Sequence, residues 1–156
     1  MNKSHIPALL VVVAAALATV ILVLRRRKTA ATDDSAPVLP VSGRVSQGYS
    51  ASHRGIDIAV PAGTEVLAPW NGQVTKVWYD NIYGGGRSML VKHPNGYTTG
   101  YAHLEGYHVG TGDRVLQGQQ IALSGNSGSH TTGPHLHFTL RNLAGVKIDP
   151  TQLFPF

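Results

Sequence analysis

Hydrophobic residues follow two different patterns along the chain. Residues 6–24 form an almost continuous apolar stretch of 19 residues without a charged side chain. Beyond residue 40, apolar residues occur in short runs separated by turns rich in glycine, proline and asparagine. A continuous run of about 20 apolar residues is typical of a membrane-spanning helix. Short runs between turn signals are typical of β-strands, so the pattern predicts a terminal helix followed by a β domain.

The short runs predict an all-β domain in residues 41–156. Asn95-Gly96, between two of these runs, is a strong signal for a tight hairpin turn. A further turn is expected near residues 104–106, and no helix is expected after residue 40. Regular short strands with turn signals predict an antiparallel barrel or sandwich. The predicted strands cover residues 55–60, 65–68, 73–79, 88–93, 97–103, 115–123 and 135–141.

A short sequence echo lies within the predicted β domain. Residues 63–67 read GTEVL, and residues 112–116 read GDRVL. Each segment is followed by a glycine and then by another predicted strand. The repeat indicates that the domain contains a duplicated β motif.

The N-terminal region divides into a tail, an anchor and a linker. Residues 1–5 form a short tail, and residues 6–24 are predicted to be a transmembrane anchor in a lipid bilayer. Residues 25–40 comprise a basic juxtamembrane stretch and a flexible linker that lacks periodicity. A cleaved signal peptide is the alternative, but such peptides usually have a shorter apolar run of about 7–15 residues.

The flanking charges disagree with the expected side of the membrane. Residues 25–28 read RRRK, whereas Lys3 is the only basic side chain before the anchor. This bias favours a cytoplasmic side for the domain, although the function argued below requires the periplasmic or extracellular side. The net charge of the whole chain is +5, but residues 37–156 contain eight Lys/Arg and six Asp/Glu, or +2. No basic stripe interleaved with aromatic residues indicates a nucleic-acid partner.

Histidines and one aspartate supply the candidate chemistry, because the chain has no cysteine. His135 and His137 are two residues apart on a predicted strand, so both rings lie on one face. His53 and Asp57 would be about 13 Å apart on a regular strand, too far for one metal ion. The backbone must therefore bend between them, and Gly55 permits such a bend.

Two histidines and one carboxylate are a typical ligand set for catalytic zinc, which leaves a fourth position open. Other first-row metals accept the same ligands, so zinc is favoured by the residues rather than required by them. The remaining histidines match no motif and are interpreted as surface residues, with His130 placed at the mouth of the site. These are His5, His93, His108 and His130.

The chain resembles the LytM/lysostaphin-type zinc metallopeptidases, murein endopeptidases that cut peptide bridges in bacterial peptidoglycan. The resemblance covers about residues 43–150 and is carried by several short motifs. These are HRGID at 53–57, APWNGQV at 68–74, YAHL at 101–104, GNSG at 125–128 and TGPHLHF at 132–138.

The resemblance implies roles for five residues in these motifs. It makes His53, Asp57 and His137 the ligands of one Zn²⁺ ion, and His103 and His135 the two catalytic histidines. It implies a twisted antiparallel β-sheet with a narrow groove, of the duplicated hybrid type. Some members also use a tyrosine upstream of the first ligand, for which Tyr49 is the candidate by position.

The function expected from the resemblance is a membrane-anchored zinc endopeptidase. It would hydrolyse stem or cross-bridge peptides of peptidoglycan at the bacterial cell membrane. The alternative is a non-catalytic module of the same fold that binds peptidoglycan or activates another hydrolase. A biotin or lipoyl carrier needs a lysine at a hairpin tip, and neither Lys76 nor Lys147 has that setting. The sequence leaves open which bond is cut and how His103 and His135 divide their roles.

Overall fold

The computed structural model describes residues 35–156. The predicted tail 1–5, the anchor 6–24 and the basic residues 25–28 lie outside the described residues. Within residues 35–156, no helix is long and apolar enough to cross a membrane. The fold is therefore described for the predicted β domain and the end of its linker.

The described residues form one antiparallel ten-stranded sheet, as the all-β prediction requires. The main path of the sheet has the order β1-β2-β9-β6-β5-β4-β7, with β10 beside β9 and β8 joining β3 to β6. A short 3₁₀-helix, Pro150–Gln152, follows the last strand and was not predicted. The strands are β1 Arg44–Gln47, β2 Ile56–Ala59, β3 Glu65–Leu67, β4 Gly72–Asp80, β5 Gly86–Lys92, β6 Thr98–Tyr107, β7 Arg114–Val115, β8 Gln120–Ser124, β9 Leu136–Arg141 and β10 Lys147–Ile148.

Two predictions about strand boundaries were wrong. The run predicted as one strand over residues 115–123 is split into β7 and β8 by a turn. The turn predicted near residues 104–106 lies inside β6, which continues to Tyr107. β6 pairs with β9 as far as Ala102 and with β8 from Leu104 onward, with a register shift between Leu104 and Gly106. The strand changes partner there instead of turning.

The sequence echo occupies equivalent positions in the fold. The first echo segment contains β3, which pairs with β8, the strand after the second segment. The second echo segment contains β7, which pairs with β4, the strand after the first segment. Gly63 N donates to Ser124 O at 2.8 Å, and Gly112 N donates to Val74 O at 2.8 Å. Both glycines have a positive φ, +81° and +98°. The two echo segments therefore occupy corresponding positions in the sheet.

Alternation along the central strands separates a core face from an open face. On β9, Leu136, Phe138 and Leu140 are fully buried in the hydrophobic core. The alternate residues of the same strand, His137, Thr139 and Arg141, line a groove on the opposite face. Alternate residues of a strand point to opposite sides of a sheet, so one strand supplies both the core and the groove. The candidate site therefore lies on a rigid, well-packed support.

The prediction that His93 is a surface residue was wrong, since only 2% of its surface is exposed. Its Nδ1 lies 2.9 Å from Asn71 O, and its Nε2 lies 2.8 Å from Thr99 Oγ1. Because a carbonyl oxygen only accepts, Nδ1–H donates to Asn71 and Nε2 accepts from the Thr99 hydroxyl. The Tyr101 hydroxyl lies 2.9 Å from Thr99 Oγ1 and completes a buried polar chain. The hairpin that carries His93 packs against Trp70, at 5.3 Å between ring centroids.

Candidate metal centre and active site

Three donor atoms from distant parts of the sequence converge in the groove. His53 Nε2 lies 3.1 Å from Asp57 Oδ1 and 3.2 Å from His137 Nδ1, and the last two atoms are 2.7 Å apart. Four ligands at about 2.1 Å from a tetrahedral ion are separated by about 3.4 Å. Two of the three distances lie within about 0.3 Å of this spacing, and the 2.7 Å distance between Asp57 and His137 is about 0.7 Å shorter, so the three donors approximate one face of a zinc tetrahedron.

Strand pairing and a folded loop bring the three donors together. Asp57 on β2 is directly opposite His137 on β9 in the antiparallel register. His53 precedes β2, in a loop that folds back so that Ser50 N donates to His53 O at 2.8 Å. The bend expected between His53 and Asp57 is therefore present, and it lies outside the regular strand.

The hydrogen bonding of His53 fits a metal ion. Its Nδ1 lies 2.9 Å from the carbonyl oxygen of Gly48, which accepts a hydrogen bond and so fixes the proton on Nδ1. In the neutral ring, Nε2 is then an unprotonated acceptor that faces the acceptor oxygen of Asp57 at 3.1 Å. A proton or a metal ion between these two acceptors would relieve their repulsion, so the contact is compatible with a bound metal ion. A metal ligand whose second ring nitrogen is held by a carbonyl is a common arrangement.

The electrostatics of Asp57 also favour a charged carboxylate. Burial raises the pKa of Asp57, but the hydrogen bond to His137 and the charges of His137, His53 and His135 lower it. The net result is a pKa below the ordinary value. Asp57 therefore remains ionised at neutral pH, as a metal ligand must be.

Gly55 is required by the close approach of the His137 ring. Its φ is not among the positive values, so a left-handed backbone is not the reason for glycine at this position. A Cβ atom at residue 55 would lie 2.8 Å from His137 Cε1, Nε2 and the Phe138 carbonyl oxygen. Any side chain here would displace the His137 ring or the β2–β9 pairing.

We expect Gly55→Ala to weaken metal binding, because the added methyl group collides with a ring that carries one of the three donors. Overpacking of this kind typically costs about 1–3 kcal/mol. Zinc affinity, measured by competition with a chromogenic chelator, should fall about tenfold or more. Gly48→Ala is the matched control in the same loop, since a Cβ atom there meets nothing within 4 Å. Equal zinc affinities for the two variants would contradict this account.

His103 and His135 lie beside the three donor atoms. The centroids of their rings are 4.6 Å apart, and His135 Nε2 lies 3.7 Å from Asp57 Oδ1. His135 Nδ1 lies 2.8 Å from Gly133 O, and His103 Nδ1 lies 2.8 Å from Ser127 O. Both carbonyl oxygens accept from Nδ1–H, so the Nε2 atom of each neutral ring has a free lone pair.

His103 lies where β6 changes its pairing partner. It is the one non-glycine residue with a positive φ in residues 35–156, at +60°. Histidine is among the residue types that tolerate this left-handed region. Burial lowers its pKa; the hydrogen bond to Ser127 raises it, His135 and His137 lower it, and Asp57 raises it. The net direction is downward, which keeps the ring neutral near pH 7.

Two glycine-containing loops hold His103 in place. Ser127 Oγ donates to Leu104 O at 2.7 Å and accepts from Arg87 N at 2.9 Å. A Cβ atom at Gly86 would lie 2.4 Å from the Ser127 carbonyl carbon, so the loops touch backbone to backbone. Gly86 thus serves the packing of the loops. Ser127 had no assigned role from the sequence, although it lies in the GNSG motif.

The other candidate residues differ in where they lie. Tyr49 does not line the groove, and its hydroxyl donates to Lys147 O at 2.9 Å. His130 lines the groove, as predicted for the mouth of the site. His108 is exposed, in agreement with its interpretation as a surface residue. His5 lies outside the described residues.

The groove has a volume of about 420 Å³. Its floor consists of rows, each made of residues that lie side by side on adjacent strands. Successive rows on this face are two residues, or about 7 Å, apart along the strands. The row at the metal donors contains Asp57, His137, Ala102, Ser88 and Trp78. The next row contains Thr139, Gly100, Leu90 and Lys76. Arg141 and Lys147 lie beyond it.

A long groove with three converging donor atoms that could hold a metal ion, beside two further histidines, is typical of a metallopeptidase site, and comparison with known proteins identifies the family. The profile of Peptidase family M23 matches residues 51–150. The chain belongs to this family.

Characterised relatives and a solved structure agree with this membership. The chain is 43% identical over 107 residues to the peptidoglycan DD-endopeptidase ShyA of Vibrio cholerae, covering 69% of this chain and 23% of the relative. It is 38% identical over 87 residues to the glycyl-glycine endopeptidase ALE-1 of Staphylococcus capitis, covering 56% and 24%. The crystal structure of a zinc-containing peptidase from Vibrio cholerae superposes with a TM-score of 0.69 at 29% identity, covering 75% of this chain and 39% of that one. The chain thus spans about a quarter of the two curated relatives.

Proposed function

We propose that this protein is a zinc metalloendopeptidase that hydrolyses peptide bonds in peptidoglycan. The observation that carries the proposal is the convergence of His53, Asp57 and His137, with donor atoms 2.7–3.2 Å apart, beside His103 and His135. The endopeptidase names of the relatives and the zinc-containing structural neighbour support it. A non-catalytic module would not need all five side chains, so the alternative is less well supported.

His53, Asp57 and His137 would hold the zinc ion in this proposal. When bound, zinc supplies Lewis acidity, which polarises a carbonyl group and makes water nucleophilic near neutral pH. Asp57 contributes the negative charge, and the Gly48 carbonyl group orients the His53 ring through its Nδ1–H. All three residues line the groove, where a peptide has room to lie.

His103 and His135 would carry the proton transfers. Each ring is anchored through Nδ1–H to a backbone carbonyl oxygen, so each presents Nε2 to the reacting groups. One Nε2 takes the proton of the attacking water, and the other ring stabilises the oxyanion or delivers a proton to the leaving amine. The 4.6 Å separation of the ring centroids lets both rings reach one scissile bond.

The proposed arrangement in the cell follows from the substrate. Residues 41–156 would form the catalytic domain, and residues 6–24 would anchor it in the cell membrane. Peptidoglycan lies outside that membrane, so the domain would face the periplasm or the exterior, against the bias of residues 25–28.

The test combines metal content with product analysis. The full chain, purified in detergent, is assayed for bound zinc and then incubated with purified peptidoglycan sacculi, and the products are identified by mass spectrometry. We expect one zinc ion per chain and newly freed peptide termini, both lost on chelation and restored by zinc. A folded protein that binds no zinc and releases no termini would support the binding-module alternative. Zinc without cleavage would contradict the proposed activity.

A further inference from the structure

We propose that the end of the groove remote from the catalytic histidines binds a carboxylate of the substrate through Arg141 and Lys147, with Lys76 beside them. The protein would then select acidic stem peptides over uncharged bridge peptides. This inference rests on the proposed peptidase function and specifies the substrate class of the same site.

The sheet register places these basic residues at one end of the groove. Arg141 is four residues after His137 on β9, which corresponds to about 13 Å along the strand. Lys147 on β10 is directly opposite Arg141. Lys76 on β4 lies in the intermediate row, which contains Thr139. All three basic side chains line the groove that contains the metal donors.

None of these three cations is neutralised by a neighbouring carboxylate in the described part of the chain. Within residues 35–156, every ion pair closer than 4.0 Å joins Asp57 to a histidine. Arg141 Nη1 donates to the Gly145 carbonyl oxygen at 3.3 Å. Lys76 Nζ lies 4.9 Å from the centroid of the Trp78 ring. These contacts orient the side chains and leave their charges uncompensated.

The surroundings of Lys147 favour an anion. Burial lowers the pKa of Lys147, and the charges of Arg141 and Arg54 lower it further. Like charges held together in a partly buried position repel one another, and a bound carboxylate relieves that repulsion. An arginine beside a lysine can bind a carboxylate through charge-assisted hydrogen bonds.

The two ends of the groove differ in charge. Among residues 35–156, the groove lining contains one carboxylate besides the proposed ligand Asp57, namely Asp80, which is two residues beyond Trp78 on β4. Asp80 is thus on the far side of the metal row from Lys76. Its Oδ1 accepts hydrogen bonds from the backbone nitrogens of Ile82 and Tyr83. An acidic group on the substrate is therefore attracted to the Arg141 end and repelled from the Asp80 end.

The distance from the metal row suits a short peptide. An extended peptide advances about 3.3 Å per residue, so 13 Å corresponds to about four residues, or fewer when a side chain carries the carboxylate. Peptidoglycan stem peptides are short and carry free carboxylates close to their cross-links. Glycine bridges carry none on their internal residues, so they would leave Arg141 and Lys147 without a partner.

The test compares two substrates that differ only in charge. One is a cross-linked muropeptide with free stem carboxylates, and the other is the same molecule with these carboxylates converted to carboxamides. Cleavage by the zinc-loaded full chain is followed by mass spectrometry for wild type, Arg141→Gln and Lys147→Gln. Arg114→Gln is the charge-matched control, because Arg114 is exposed on β7, four strands from β9 in the sheet order.

We expect kcat/KM of the wild type to be about tenfold higher for the acidic muropeptide than for the amidated one. The amidated substrate lacks one charge-assisted hydrogen bond, which in a solvated groove corresponds to about this factor. Arg141→Gln and Lys147→Gln should each raise KM for the acidic substrate about tenfold with kcat nearly unchanged, and should leave the amidated substrate unaffected. Arg114→Gln should match wild type on both substrates. A purely structural role would lower the rates on both substrates together.

Measuring the affinities for the acidic and the amidated muropeptide tests the carboxylate site separately from the peptidase activity. Titration calorimetry with the zinc-loaded full chain gives the two dissociation constants whether or not cleavage occurs. Failure to cleave either muropeptide counts against the peptidase, while a tenfold difference in affinity that disappears in Arg141→Gln still supports the carboxylate site. Equal affinities and equal rates for the two muropeptides would overturn the carboxylate site and leave the peptidase proposal intact.

Discussion

Asp57→Ala and His137→Ala are expected to lose bound zinc and to lose peptidoglycan cleavage with it. Asp57 Oδ1 is the centre of the cluster, with nitrogen atoms of His137, His53 and His135 at 2.7, 3.1 and 3.7 Å. Without either residue, two donors remain, and a zinc ion is poorly held by two ligands. Since the metal contributes several kcal/mol to the transition state, activity should fall on the order of 10³-fold or more.

Zinc content by elemental analysis and cleavage of sacculi are measured on the same preparation. Circular dichroism shows whether each variant is folded. His108→Ala is the matched control, because it removes an exposed histidine outside the groove and should keep both zinc and activity. A His137→Ala protein that retains stoichiometric zinc and wild-type activity would refute the ligand assignment.

His103→Asn and His135→Ala are expected to keep zinc and to lose catalysis. Neither ring supplies one of the three converging donor atoms, and both present Nε2 beside them. General acid–base catalysis typically contributes about 10²–10⁴-fold, so kcat should fall within that range for each variant. Asparagine is chosen at residue 103 because it tolerates the positive φ of +60° that alanine would strain.

The decisive comparison is between zinc content and kcat for the same protein. Retained zinc with a kcat reduced at least a hundredfold supports catalytic roles for His103 and His135. Loss of zinc from either variant would instead make that residue a ligand. Unchanged kcat in both variants would show that proton transfer is carried by other groups.

Much of the local structure could be predicted from the sequence. Turn residues such as Asn95-Gly96 and alternation of apolar residues depend on neighbours in the chain, and they located most of the strands. The same alternation on β9 was also an unused signal for the groove, since His137, Thr139 and Arg141 follow one another at a spacing of two. Lys147 had no such signal, because only its pairing with Arg141 brings it to the groove.

The errors occurred where distant parts of the chain decide the environment. His93 precedes a hairpin turn and resembles a surface residue, but Trp70 and Thr99 bury it. The irregularity near residues 104–106 was interpreted as a turn, but β6 passes there from one partner strand to another. Gly55 was expected to be glycine because the backbone bends there. The structure gives a different reason, since a side chain at this position would collide with the His137 ring, 82 positions later in the chain.

The sequence by itself determined the β-rich domain, its turns and the identity of the residues with metal-site chemistry, because these depend on residue type and local spacing. The tertiary structure decided which of them meet. Asp57 and His137 are 80 residues apart and become neighbours only through the antiparallel register of β2 and β9. A shift of β9 by one residue in that register would turn His137 toward the core, so that it would no longer share the groove face with Asp57. Pairing between distant strands, which local spacing does not encode, therefore creates the site.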